Sequence, residues 1–67
     1  MNNMQLFTVK QFAERWPYLT YGGLRYKIFN QYDNGLFASG AIIKDGRKVL
    51  IDEDKFFAWL KLRSKND

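Results

Sequence analysis

The sequence predicts a small α+β domain: two helices joined by a tight turn, then a two-stranded β-hairpin, then a last helix. Three observations predict it. Thr8-Val9-Lys10-Gln11 is a capping box ahead of a helical apolar stripe; Asp45-Gly46 sits between two β-branched runs; Asp52-Glu53-Asp54 precedes an aromatic band. The 67 residues are 46% apolar and 18% aromatic, which is the composition of a packed chain rather than a disordered one. A chain of this length buries only about 60% of the surface its unfolded form exposes. One domain over residues 1–67 is expected, with an ordered core over about 6–63.

The elements follow in order. In the capping box Thr8 accepts from the Gln11 amide while the Gln11 side chain reaches back. Val9, Phe12, Ala13 and Trp16 recur at i, i+3, i+4 and i+7, one face of a helix. Pro17 stops that helix, giving a first helix over about 9–16 with Leu6-Phe7 as an extended lead-in. Thr20 is a second N-cap, and a helix over about Tyr21–Gln31 puts Leu24, Ile28 and Tyr32 along one edge. Its opposite edge carries Gly23, Tyr26 and Asn30. Gly22-Gly23 costs a helix roughly 1 kcal/mol per glycine, so a turn or a close backbone approach is expected there. Asp33-Asn34-Gly35 is a turn.

Ala41-Ile42-Ile43-Lys44, Asp45-Gly46 and Arg47-Lys48-Val49-Leu50-Ile51 read as a hairpin closed by a type I′ turn on Asp45-Gly46. That register opposes Lys44 to Arg47 and Ile42 to Val49, and leaves open which hairpin face is buried. Asp52 caps the last helix, and Glu53 and Asp54 complement its dipole. Phe56, Phe57, Trp59 and Leu60 form its apolar band, and Ser64–Asp67 is a polar tail expected to fray.

Catalysis is not expected. The chain has no histidine and no cysteine, so the hydroxyls have no imidazole to activate them. The acids at 52–54 read as a helix cap rather than a metal site, and no cofactor is expected. No apolar run approaches the ~20 residues of a membrane span, and the start of the chain does not read as a signal peptide. A cytoplasmic protein is therefore expected, with no membrane and no small-molecule ligand as partner.

Binding is the remaining work. The net charge is +4 and the isoelectric point about 9.6, a mild lean toward polyanions. Lys44, Arg47 and Lys48 gather at the expected hairpin tip, and Arg25 and Lys27 flank the second helix. A helix–turn–helix places its second helix in the major groove. Arg25 would face guanine and Asn30 adenine, with Tyr26 open between an exposed contact and partial burial. Thr20, Tyr21 and Gly23 form the helix start, where free amides can meet a phosphate. Lys10, Lys55, Lys61 and Lys65 read as solvated, with Lys10 and Arg15 as candidate phosphate contacts. The candidate DNA-binding residues are thus Thr20, Tyr21, Gly23, Arg25, Tyr26, Lys27, Asn30, Lys44, Arg47 and Lys48. A protein-interaction module using the aromatic surface is the competing class.

Phe7-Thr8-Val9-Lys10-Gln11-Phe12-Ala13, Leu24-Arg25-Tyr26, Gly46 through Asp54 and Phe57-x-x-Leu60 together resemble the excisionase and MerR-like winged helix-turn-helix group. The resemblance spans about residues 6–62. It implies a winged helix-turn-helix that binds double-stranded DNA as a recombination directionality factor, bending attachment-site DNA so that an integrase excises. It also implies self-association of copies on DNA. Small transcriptional regulators of phages and other mobile elements are the alternative within the same group. A metal or drug sensor is not expected, since the sequence shows neither the dimerisation helix nor the effector domain of the larger regulators.

Overall fold

The computed structural model describes residues 5–65. Strand β1 (Leu6–Thr8) leads into helix α1 (Val9–Arg15), followed by α2 (Tyr21–Phe29), β2 (Ile42–Asp45), β3 (Lys48–Asp52) and α3 (Glu53–Lys65). The three strands form one antiparallel sheet in the order β1-β3-β2. The fold is therefore α+β, as expected, but the sheet has three strands instead of two. The lead-in pairs with β3, Phe7 opposite Ile51 and Thr8 opposite Leu50. A three-residue strand has too few residues to show alternation, so only its partner identifies it. The tail expected to fray from Ser64 continues α3 to Lys65; the first four residues and the last two lie outside the described ones.

Helix α1 starts as its capping box dictates: the Gln11 amide donates to Thr8 Oγ1 at 3.1 Å, and the Thr8 amide to Gln11 Oε1 at 3.0 Å. It ends at Arg15, with Trp16 as C-cap before Pro17. Helix α2 starts on Thr20, whose Oγ1 accepts from the Gly23 amide at 3.1 Å. It ends at Phe29, short of the expected Gln31, with Asn30 as C-cap. Tyr32 therefore lies beyond the helix and is exposed rather than buried along its edge.

The hairpin loop lies one residue further on than expected, which shifts each cross-strand partner by two. Asp45 pairs with Lys48, Lys44 with Val49, Ile43 with Leu50 and Ile42 with Ile51. Gly46 and Arg47 form the loop, and only Gly46 takes a positive φ, at 63°. A type I′ turn needs positive φ at both loop positions. Glycine at the first position with an ordinary Arg47 fits a II′ pattern instead. This register exchanges the opposed cations Lys44 and Arg47 for the opposite-charge pair Asp45 and Lys48, which is favourable. A shift of two leaves every side chain on its expected face. The buried face carries Ile42 and Ile51; Ile43 and Leu50 face outward and are half-buried.

The core joins Phe12, Leu19, Leu24, Leu36, Ala41, Ile42, Ile51, Phe56 and Trp59. The expected aromatic core is present, with Phe12 and Phe56 fully buried edge-to-face at 5.1 Å. Trp16, Phe57 and Leu60 are half-buried against it. Residues 30–40 form a folded knot of turns rather than a loose connection. Asn34 Nδ2 donates to the Lys27 carbonyl, Asn34 Oδ1 accepts from the Leu36 amide, and Trp59 Nε1 donates to the Asn34 carbonyl at 3.0 Å. Leu36 inserts into the core at 0% exposure.

Glu53 ties α1 to α3. Its Oε2 accepts from both Arg15 Nε and Trp16 Nε1 at 2.8 Å, and its amide donates to the Gln5 carbonyl at 3.0 Å. The Arg15 guanidinium also lies 5.2 Å from the centre of the Phe7 ring. Arg15, considered from the sequence as a phosphate contact, thus serves as a structural cation, its side chain half exposed. Asp52 acts as the expected cap, its Oδ1 accepting from the Lys55 amide at 3.2 Å.

Two stability outcomes follow. Glu53→Ala leaves the Trp16 indole without its acceptor and should destabilise by about 2 kcal/mol, lowering the Tm by roughly 10 °C in a domain of this size. Gly22→Ala should stabilise by about 0.5–1 kcal/mol, because Gly22 is helical and a Cβ there meets nothing within 4 Å. Thermal melts followed by circular dichroism read both.

Candidate nucleic-acid interface

Helix α1, helix α2 and the β2–β3 hairpin meet around one groove of about 430 Å³. Thr8, Val9 and Lys10 line it from the start of α1, Tyr21, Arg25 and Ile28 from α2, and Arg47, Lys48 and Val49 from the hairpin. Its floor is apolar and its rim cationic: Lys10, Arg25, Arg47 and Lys48 are all exposed, and no carboxylate lines it among the described residues. The α1–α2 turn and the hairpin register produce this convergence together. Arg47 reaches the rim because it is a loop residue, and Lys48 because it opens β3. The Arg25 guanidinium is braced on Tyr21, donating to its hydroxyl at 3.1 Å and lying 5.7 Å from its ring centre. Such bracing limits the side chain's freedom, so less entropy is lost on contact. Lys10 and Tyr21 also border a neighbouring depression with Ala13 and Glu14.

A second groove of about 320 Å³ lies along the other flank of α2 and takes in Tyr26, Lys27, Asn30, Asp33, Asn34 and Arg63. The expected site residues are therefore divided. Tyr21, Arg25, Arg47 and Lys48 share the first groove; Tyr26, Lys27 and Asn30 share the second, which also holds the carboxylate of Asp33. Tyr26 is exposed rather than partly buried.

Three expected contacts change. Lys44 does not join the hairpin tip: the two-residue register shift sets it back along β2, and its Nζ lies 3.5 Å from the Tyr32 hydroxyl. The Asn30 side-chain nitrogen donates to the Tyr26 carbonyl at 3.0 Å, so the side chain closes the helix end. A bidentate adenine contact would have to break that bond. The Gly23 amide is already taken by Thr20 Oγ1 and the Leu24 amide by the Thr20 carbonyl. Thr20 and Gly23 therefore form the helix cap, and the amides of Tyr21 and Gly22 are the ones left at that end.

Sequence reasoning passed over Phe29. It is 84% exposed, the most exposed of the large apolar side chains. A helix with apolar side chains on two opposite faces was the available signal: Leu24 and Ile28 mark one face, and Tyr26 and Phe29 mark the other.

Among the described residues, no group of His, Cys, Asp and Glu could hold a metal ion, and no helix is long and apolar enough to cross a membrane. Compared with protein-family models, curated proteins and solved structures, the chain shows no significant match to any.

Proposed function

We propose that this chain binds double-stranded DNA as a winged helix-turn-helix, with α2 in the major groove and the β2–β3 hairpin as the wing. One observation carries the reading: Lys10, Arg25, Arg47 and Lys48, drawn from three separate elements, rim one groove without an opposing carboxylate. Bringing like charges together costs free energy in the isolated protein, and an external polyanion offsets that cost. Duplex DNA supplies phosphates on both sides of a groove wide enough to admit a helix. Lys10, Arg47 and Lys48 then neutralise backbone phosphates, which position the protein, while α2 reads bases.

The resemblance of the Thr8–Ala13 and Gly46–Asp54 segments to excisionase sequences supports a finer role. In that role the protein is a directionality factor that bends attachment-site DNA and assembles in adjacent copies beside an integrase. A promoter-binding regulator uses the same surface and differs in its target site. No step of either role requires catalysis or a cofactor from this chain.

Fluorescence anisotropy on a labelled duplex across a salt series tests the DNA reading. Affinity should fall with a log–log slope of about −0.9 for each phosphate neutralised. The double variant Arg47→Ala/Lys48→Ala should weaken binding to all sequences and flatten the slope by about two units. Lys44→Ala, which is set back from the groove, should change the slope far less. Absence of binding at low salt, or a double variant that binds like the parent, sinks the proposal.

A further inference from the structure

The outer surface of α2 is apolar where a surface helix is ordinarily polar. At 3.6 residues per turn, Gly22, Tyr26 and Phe29 form a stripe at i, i+4 and i+7, turned away from Leu24 and Ile28. Tyr26 is 71% and Phe29 84% exposed, while Gly22 adds no side chain to the stripe. Packing within the domain gives Phe29 no role, because its ring is almost wholly in solvent.

The stripe is the crest of the helix, and the two grooves lie on either side of it. Arg25 stands on one flank, with Arg47 and Lys48 across that groove, and Lys27 and Arg63 stand on the other, where the one carboxylate of Asp33 leaves the cations in excess. A helix seated in a major groove has this arrangement: its crest faces the base edges and its flanks face the two phosphate strands. The apolar feature of those base edges is the C5-methyl group of thymine.

We propose that Phe29, with Tyr26 beside it, reads thymine methyl groups and so sets the sequence preference of this protein. The inference rests on the DNA-binding reading given above. Gly22 lets the start of the crest come close to the bases, and Phe29 at its far end supplies the apolar surface that a methyl group fits. Positive charge on both flanks selects a nucleic acid over a second apolar protein face as the occupant. Specificity here is by methyl contact.

The test starts by selecting bound duplexes from a random 20-base-pair pool at moderate salt. The enriched duplex is then synthesised with thymine or with deoxyuridine, which pairs identically but lacks the methyl. Enriched sites should contain thymine. Deoxyuridine should weaken binding roughly threefold to fivefold per methyl buried. Phe29→Ala should bind both duplexes alike while keeping the salt slope of the parent. Because Phe29 packs against little, this variant is expected to fold, and a thermal melt checks it. Enriched sites without thymine, equal binding of the two duplexes, or a thymine preference kept by Phe29→Ala each overturn the inference and leave DNA binding standing. If Phe29→Ala instead dissolves a self-associated form seen by sedimentation without DNA, the crest is a protein interface and the inference fails. If the pool yields no enriched duplex and no salt-dependent binding, the DNA-binding reading itself falls.

Discussion

The Glu53 carboxylate fixes the geometry on which the rest of the structure depends. One oxygen accepts from both Arg15 and Trp16, at the end of α1, from a residue at the start of α3. The same residue's amide bonds the backbone just before β1. Three segments far apart in sequence are thereby held at one point. The carboxylate is almost wholly buried, whereas its arginine partner is half exposed. An unpartnered carboxylate at such a site would be costly, so the acid and its two donors stabilise the fold as a set. The consequence reaches the groove. Lys10 on α1 and Lys48 on β3 both line it, and Glu53, which directly follows β3, ties the end of α1 to that strand.

A second indole does the same work at the opposite end. Trp59 donates to the Asn34 carbonyl and anchors the 30–40 segment over α3, with Leu36 sealed beneath. Domains this small commonly rely on disulfides or metals, and this chain has neither cysteine nor histidine. Its two tryptophans take that part. Each buries a large ring in or against the core and uses its single N–H to bind a chain segment distant in sequence. The aromatic content of the sequence is thus spent mainly on closure, in edge-to-face contacts that run from Phe12 through Phe56 and Phe57 to Trp16.

Local rules made much of this legible from residues alone. The capping box, the stop at Pro17, the Asp52 cap and the aromatic core each depend on neighbours within a turn or two, and each stands where its residues put it. Readings that depend on distant partners fared less well. β1 exists because β3 lies beside it. The hairpin register sets Asp45 opposite Lys48 and separates Lys44 from Arg47, against the local Asp-Gly turn preference. Arg15 looked like any surface cation until Glu53 came within reach of it, and Lys44 left the tip with the register. Asn30 fell to a competition within its own helix, since its side chain joins its own amide in donating to the Tyr26 carbonyl.

Helix α2 breaks more local rules than any other element. It carries two glycines in its first turn, which weaken a helix, and exposes three aromatic rings, Tyr21, Tyr26 and Phe29, which water solvates poorly. Gly23 leaves room for the Thr20 cap, since a Cβ there would lie 3.0 Å from Thr20 Oγ1, but a Cβ at position 22 meets nothing and the Phe29 ring points to solvent. Exposed large apolar side chains also stand elsewhere, among them Tyr18, Tyr32 and Leu62, but Phe29 at 84% exceeds each of them. A glycine and a ring that the packing does not use are the kind of local conflict expected at a functional surface. The charge around α2 narrows what that is. Cations stand on both flanks of the helix, one of them braced on an aromatic ring, and the crest between them is apolar. A protein partner would satisfy the crest and leave the cations stranded, whereas a phosphate surface alone would satisfy the cations and leave the crest in water. A duplex groove satisfies both at once, with phosphates on two sides and methyl groups on its floor.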